Sequence, residues 1–449
     1  VVVDREDGIA RRATKKAMWR ILPLLFCCYI VAYVDRANVG YAKLTMVRDL
    51  AGFNDEVIGM GAGLFFLGYF LLEVPGTLLV ERWSARKVVS RIMVTWGVVA
   101  AGTAFVKTPG EFYGMRFLLG LAEAGFFPGV IVYLTHWFPT WVRARAMGIF
   151  LVATPVAQLV TPKVCNYLLR FGTMEAGVRY PKLMGMQGWQ WVYVGWGVPA
   201  VVLGVMVFFW LPDRPREARW LSEEEKEALE QEVERSRSGA AMWRGDWKRV
   251  VGHGPTWVMA FVLFSIAASN YALDTFLPTM LRDWYGLSRD RMTTLLMVPP
   301  IFALLGVVVM GWSSDRFGER RWHAAGCVML AAVGMAIAPM TNGTLVLTMI
   351  CVSGYAWGNK GSQPPFWAMP SLMLSGSAAA AATGVINSVG NLGGFFGPMV
   401  LGRIEKETGS FLPGLYGLAG LLVAGGVSLI LLRVDRGRRK VISAQSVGA

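Results

Sequence analysis

Residues 29–43 read YIVAYVDRANVGYAK. The stretch lies in an apolar run long enough to cross a bilayer, yet it sets Asp35 and Arg36 side by side. Ionisable side chains at such depth are costly. They face a bundle interior or a water-filled cavity, and they mark substrate or ion pathways. Tyr33 and Arg36 are three residues apart and share a helix face. Asp35 sits about 100° round from Arg36 on a helix of 3.6 residues per turn, so the two neighbours look toward different partners.

Outward from this stretch, apolar runs recur along the whole chain. The 449 residues are 54% hydrophobic and only 16% charged, too few charges to clothe a soluble surface of that size. Helices are the natural spanning element because they satisfy their own backbone in lipid. The expected fold is an all-α membrane protein, twelve transmembrane helices in two six-helix halves. A cytoplasmic, mobile N-terminal tail covers 1–18, and the first half covers 19–211. A cytoplasmic linker follows over 212–254, then the second half over 255–433 and a cytoplasmic tail over 434–449. The first span is expected at roughly 19–42, the fourth at roughly 111–136 and the tenth at roughly 343–370. In the linker, Ser222 and Glu225 of LSEEEKEAL match a capping box and predict one short helix.

The net charge of +14 does not imply nucleic acid. Most of the 44 Lys and Arg fall in the N-terminal tail, the linker, the C-terminal tail and the loops on their side of the bilayer. That bias places both termini in the cytoplasm. The five cysteines lie in or beside apolar runs without metal-ligand spacing and read as buried small hydrophobes. No metal and no cofactor is expected, protons apart. An enzyme is not expected either: there is no nucleophile–base set or phosphate loop, and His136, His253 and His323 lie near predicted span ends.

Two loops carry a repeated pattern of one acid followed by spaced cations. Between spans eight and nine stand Gly311, Asp315, Arg316, Gly318, Arg320 and Arg321; at the matching place between spans two and three stand Glu81, Arg82, Arg86 and Lys87. The pattern is an internal repeat, as two similar halves would carry. With these motifs the chain resembles the major facilitator superfamily over nearly its whole length. Tyr33-Val-Asp35-Arg36-Ala-Asn38, Arg116-Phe-Leu-Leu-Gly-Leu-Ala-Glu123 with Trp137-Phe-Pro139, and Leu211-Pro-Asp-Arg-Pro215 resemble its anion:cation symporter branch. That resemblance implies proton-coupled uptake of a small organic anion by alternating access in a bacterial inner membrane. Sugar acids, hydroxy dicarboxylates and aromatic acids fall within its range. An anion exchanger is the alternative, and a non-transporting nutrient sensor a remote one. The GPxxGG turn of drug–proton antiporters is absent from span five, which reads Ala153-Thr-Pro-Val-Ala-Gln158.

The candidate site follows from both sources. Arg36 is expected to take the substrate carboxylate, since a guanidinium suits planar bidentate recognition. Asp35 and Glu123 are the proton carriers, with Arg116 acting on Asp35. Arg116 and Glu123 share a helix face about 10 Å apart, two sites on one wall rather than a pair. Tyr33, Tyr69, Trp367 and Asn387 shape the pocket, as the resemblance implies. Lys360, Gln363 and Trp367 share a face of span ten, where glycines and prolines weaken the helix. Lys360 is either a second cation in the cavity or a lysine snorkelling to the interface. Asn387 and Asn391 share a face of span eleven and suit hydroxyls. The resemblance puts a binding glutamine at Thr154, with Gln158 one turn on as its substitute. Asn270 and Tyr271 are weaker candidates, and Glu73 a gating or packing residue. The loop residues Glu81, Arg82, Arg86, Gly311, Asp315, Arg316, Gly318 and Arg320 form a conformational switch by resemblance. Partners are the substrate and membrane lipids, and the chain is expected to act as a monomer.

Overall fold

The structure, a computed structural model, describes residues 2–82, 84–175, 178–237, 252–341, 343–373 and 376–432. The C-terminal tail over 434–449 and linker residues 238–251 lie outside them. The chain is helical almost throughout. Span 1 is Val2–Ala37 continued by Val39–Asp49, span 2 Asp55–Arg82 and span 3 Ala85–Gly102. Span 4 is Pro109–Glu123 with Phe126–Trp137, span 5 Thr140–Leu151 with Ala153–Leu168, and span 6 Gly188–Trp210. Span 7 is Gly254–Tyr285, span 8 Arg289–Leu295 with Val298–Phe317, and span 9 Arg321–Ile337. Span 10 runs Leu345–Gly361, Gln363–Ala368 and Pro370–Met373; span 11 Gly376–Asn391 and Gly393–Thr408; span 12 Leu412–Leu431. Among the described residues, ten helical stretches are long and apolar enough to cross a membrane. Spans 10 and 11, each in pieces, complete the twelve. Their outward faces carry large apolar residues such as Val308, Phe209 and Leu431, which suits lipid contact.

The two halves pack alike. Span 3 lies along span 6 as span 9 lies along span 12, and span 2 along span 4 as span 8 along span 10. Glycines permit the closest of these approaches. A Cβ on Gly97 would stand 2.6 Å from the carbonyl of Gly197, so only hydrogen fits there. The halves meet where span 2 crosses span 11, where span 5 meets span 8, and where span 1 meets span 7.

Several expectations change. The N-terminal stretch is not a free tail: the first helix begins at Val2, and its Lys16 pairs with Glu225 of the linker helix, Glu223–Arg237, at 2.7 Å. The capping box forms, with the Ser222 N–H donating to Glu225 and the Glu225 N–H donating to Ser222. The far end of span 1 extends to Asp49, so Lys43 is helical and buried rather than in a loop. The all-α reading has one exception, a two-stranded antiparallel hairpin, Met174–Glu175 with Val178–Arg179. Of the cysteines, Cys28, Cys165 and Cys327 are buried, but Cys27 is exposed. Span 4 breaks at once after Glu123, because Gly125 takes φ +87°, a left-handed conformation that suits glycine.

Candidate functional site

A cavity lies between the halves, walled by spans 1 and 5 on one side and spans 7, 8 and 10 on the other. Its polar lining includes Tyr33, Gln158, Asn270, Asp274, Tyr355, Asn359 and Lys360. The Tyr33 hydroxyl joins the two walls. It accepts from Gln158 Nε2 at 2.5 Å and donates to Asp274 Oδ2 at 3.4 Å. Asn270 Nδ2, one turn back on span 7, donates to the same oxygen at 3.0 Å. Among the described residues, Lys360 Nζ makes neither a hydrogen bond nor an ion pair, although it feels Asp274 electrostatically. Tyr355 and Asn359 are anchored instead: Asn359 Nδ2 donates to the Tyr355 hydroxyl at 3.1 Å, and that hydroxyl donates to Ser269 at 3.2 Å.

Tyr33 and Asp274 also line a smaller adjoining cleft with Arg36, Phe66 and Tyr271. Here the geometry corrects the division of labour expected on span 1. Arg36 reaches Glu123, with Nε donating to Oε1 at 2.7 Å, and its guanidinium lies 4.9 Å over the Tyr69 ring. Asp35 points to span 3, where Trp96 Nε1 donates to Oδ2 at 2.6 Å; Asn38 Nδ2 donates to Oδ1 at 3.0 Å. One helical step thus sends Arg36 to Glu123 and Asp35 to Trp96 and Asn38, so the cation expected to take the substrate carboxylate is already engaged by an acid of its own half. Asp35 and Glu123 are both 0% exposed. Glu123 Oε2 is buried with no hydrogen-bond partner, so one oxygen of the pair is idle. Arg116 does not pair with Glu123. Its Nε donates to the Gly61 carbonyl at 3.3 Å, and Phe65 separates it from Arg36 as a ring shared by both guanidinium groups.

Other candidates fall outside the cavity. Gln363 and Trp367 satisfy each other, the indole N–H donating to Oε1 at 2.9 Å, and neither lines the cavity. Asn387 donates to Glu73 at 2.6 Å, a tie between span 11 and span 2, and Asn391 lies half-buried farther along. Thr154 donates to the Leu151 carbonyl at the end of the preceding helix, and of the two span-5 candidates Gln158 is the one in the cavity. In the loops, Arg86 lies 3.7 Å from Asp213 at the end of span 6, within one half. Arg320 pairs with Asp315 at 2.5 Å, Arg316 lies over Trp312, and Gly318 caps span 8 at φ +62°. Gly311 faces Pro364 of span 10. Glu81 and Arg82 are helical, but their side chains lie outside the described ones.

Asp274 was missed. An aspartate one turn after Asn270 in an apolar run carries the same signal as Asp35. From the same stretch, ASNYALDTFLP, sequence reasoning takes only Asn270 and Tyr271 as candidates.

Comparison with known proteins gives a consistent answer. The profile described as the Major Facilitator Superfamily matches residues 25–398. Two proteins of Agrobacterium vitis, each named "Putative tartrate transporter", are 42% and 40% identical over 95% of this chain and 96% and 94% of their own. A protein of Acinetobacter baumannii named "Quinolone resistance transporter" is 34% identical over 99% of both chains. Among solved structures, a D-xylose-proton symporter superposes with a TM-score of 0.72 at 15% identity, covering 94% of this chain and 99% of that one. Its likeness is one of fold. On the profile and on relatives matched nearly end to end, the chain belongs to the Major Facilitator Superfamily, a multi-pass membrane transporter and not an enzyme.

Proposed function

We propose that the protein imports a small organic anion together with protons, by alternating access across a bacterial cytoplasmic membrane, as a monomer with both termini inside. The observation that carries this reading is the cavity between the halves, where an unbonded Lys360 ammonium stands beside Tyr33, Gln158 and Asn270 and next to the cleft that holds Arg36, paired with the buried Glu123. A cation with hydroxyl and amide groups around it is the chemistry that holds a hydroxylated acid. Hydroxy dicarboxylates of the tartrate type, for which two relatives are named, lead the candidates, followed by sugar acids and aromatic acids.

Protons are needed because each negative charge carried inward works against about 2.3 kcal/mol per 100 mV. Glu123 offers a seat for one at its idle Oε2. Protonation there weakens the hold on Arg36, whose guanidinium then turns to the substrate. Asp35 is the second carrier, screened from the cavity by its bonds to Trp96 and Asn38, with Arg116 acting on it through space. The loop residues, Glu81 to Arg86 and Gly311 to Arg320, remain the switch that stabilises one state.

The test is uptake of labelled tartrate by proteoliposomes with an imposed pH gradient. Asp35→Asn and Glu123→Gln should lose accumulation while keeping counterflow. Accumulation by both variants under the gradient would sink the proton assignment and favour an exchanger. Efflux of a quinolone by the same vesicles, with no acid transported, would favour the function named for the Acinetobacter relative.

A further inference from the structure

We propose that Asp274 is a built-in rival of the substrate: its carboxylate holds the anion subsite at Lys360 until a proton discharges it. The proposal deepens the organic-anion reading and rests on it.

Asp274 occupies the boundary between two cations. It lines both the cavity that contains Lys360 and the cleft that contains Arg36. Tyr33 and Asn270 both donate to Oδ2, whereas Oδ1 takes no hydrogen bond among the described residues. Lys360 faces it without direct contact. A gap between an ammonium and a carboxylate that does not close into an ion pair is room for a third charged group. A substrate carboxylate entering there gains Lys360 but meets the negative charge of Asp274. Like charges sharing one site disfavour each other, so proton binding at Asp274 and anion binding at Lys360 assist one another. Once protonated, Asp274 changes from acceptor to donor and can bond the substrate it had repelled.

The surroundings leave few competing explanations. Span 1 brings Tyr33, Tyr41 and, across the cleft, Arg36; span 7 itself brings Tyr271; span 10 brings Tyr355 and Lys360. The cavity-lining residues of spans 5 and 8, among them Gln158, Thr161, Leu296 and Pro299, do not titrate. Lys360 is the one lysine among these groups. Among the described residues, Asp274 is tied through Oδ2 alone, which leaves Oδ1 for an incoming ligand.

The experiment measures tartrate binding to the purified full chain by ligand-induced thermal shift, between about pH 5.5 and about pH 8. In the wild type, affinity should fall as pH rises. Asp274→Asn keeps the shape and the Tyr33 and Asn270 neighbourhood but not the charge. It should bind roughly tenfold tighter than wild type at the alkaline end, with a flattened pH profile. Lys360→Met should lose binding at every pH, and the double variant should behave like Lys360→Met. If Asp274→Asn is poorly folded, Asp274→Ser gives the same comparison. An Asp274 variant with wild-type affinity and the full wild-type pH slope overturns the proposal while leaving organic-anion transport intact. A wild type that binds neither tartrate nor a panel of sugar and aromatic acids overturns the organic-anion reading, and this proposal with it.

Discussion

At the scale of the residue, one carboxylate and one indole show how much a single bond carries. Asp35 is buried completely, and Trp96 supplies its shorter hydrogen bond. Trp96→Phe keeps the ring packing against Phe126 but removes the donor. A hydrogen bond to a charged group contributes about 1.5–3 kcal/mol, so the detergent-solubilised variant should melt measurably lower, and a second substitution, Asp35→Asn, should recover much of the loss. Unchanged melting would mean that Asp35 is held otherwise. Tyr33→Phe removes both the bond to Asp274 and the acceptor for Gln158, and should raise the KM for uptake several-fold with little change in melting. Asp35, Arg36, Glu123 and Lys360 were all legible, because charge in an apolar run has few innocent explanations. Their partners were not. Sequence spacing fixes the angle between neighbours on a helix, but which helix lies in each direction is a property of the packed bundle. Hence the pairing of Arg36 with Glu123 could not be read from spacing.

At the scale of the element, the seam between spans 2 and 11 is built from small residues. A Cβ on Gly59 would lie 2.3 Å from the Pro398 carbonyl, and one on Gly402 would lie 2.4 Å from that of Asp55. Neither can be accommodated without the helices parting. Gly59→Val should therefore open this end of the molecule, seen as a longer distance between spin labels placed on spans 2 and 11. An unchanged distance distribution would contradict the seam's role. The linker helix answers to pH. Burial works against the Glu225 carboxylate, but the Lys16 hydrogen bond, the Ser222 backbone and the Lys16 charge prevail and hold it below its usual range. Its contribution is present above the unfolded-state value, about 4.3, and is lost as pH falls through the lower folded value. Protection of amides 223–237 from hydrogen exchange, relative to their intrinsic rates at each pH, should fall in acid, and Glu225→Gln should remove that dependence. This helix was legible because its capping box is local chemistry. The break after Glu123 was not, since a glycine within an apolar run serves packing as readily as a turn.

At the scale of the whole molecule, ties between the halves gather at the end away from the linker. Arg170 and Asn166 meet Asp290 at 3.0 and 2.5 Å, and Lys406 meets Glu56 at 2.6 Å. Lys43, paired with Asp55 at 2.6 Å, projects over the Phe276 ring of the other half. The loop motifs, by contrast, make their described bonds within their own halves. The twofold plan was legible because hydropathy and the repeated loop pattern survive in one dimension. The closed end was not, because a transporter sequence must serve every state of the cycle and favours none by pattern alone. One further consequence is electrical. Arg36 rides with Glu123 in one half, and Lys360 with Asp274 in the other, so each of these charges crosses the membrane field beside its opposite. The return of the empty carrier should then draw almost no current from these groups, leaving the voltage to act on the cargo and its protons. Capacitive currents on supported membranes should be small without substrate and grow in Asp274→Asn, where Lys360 travels alone.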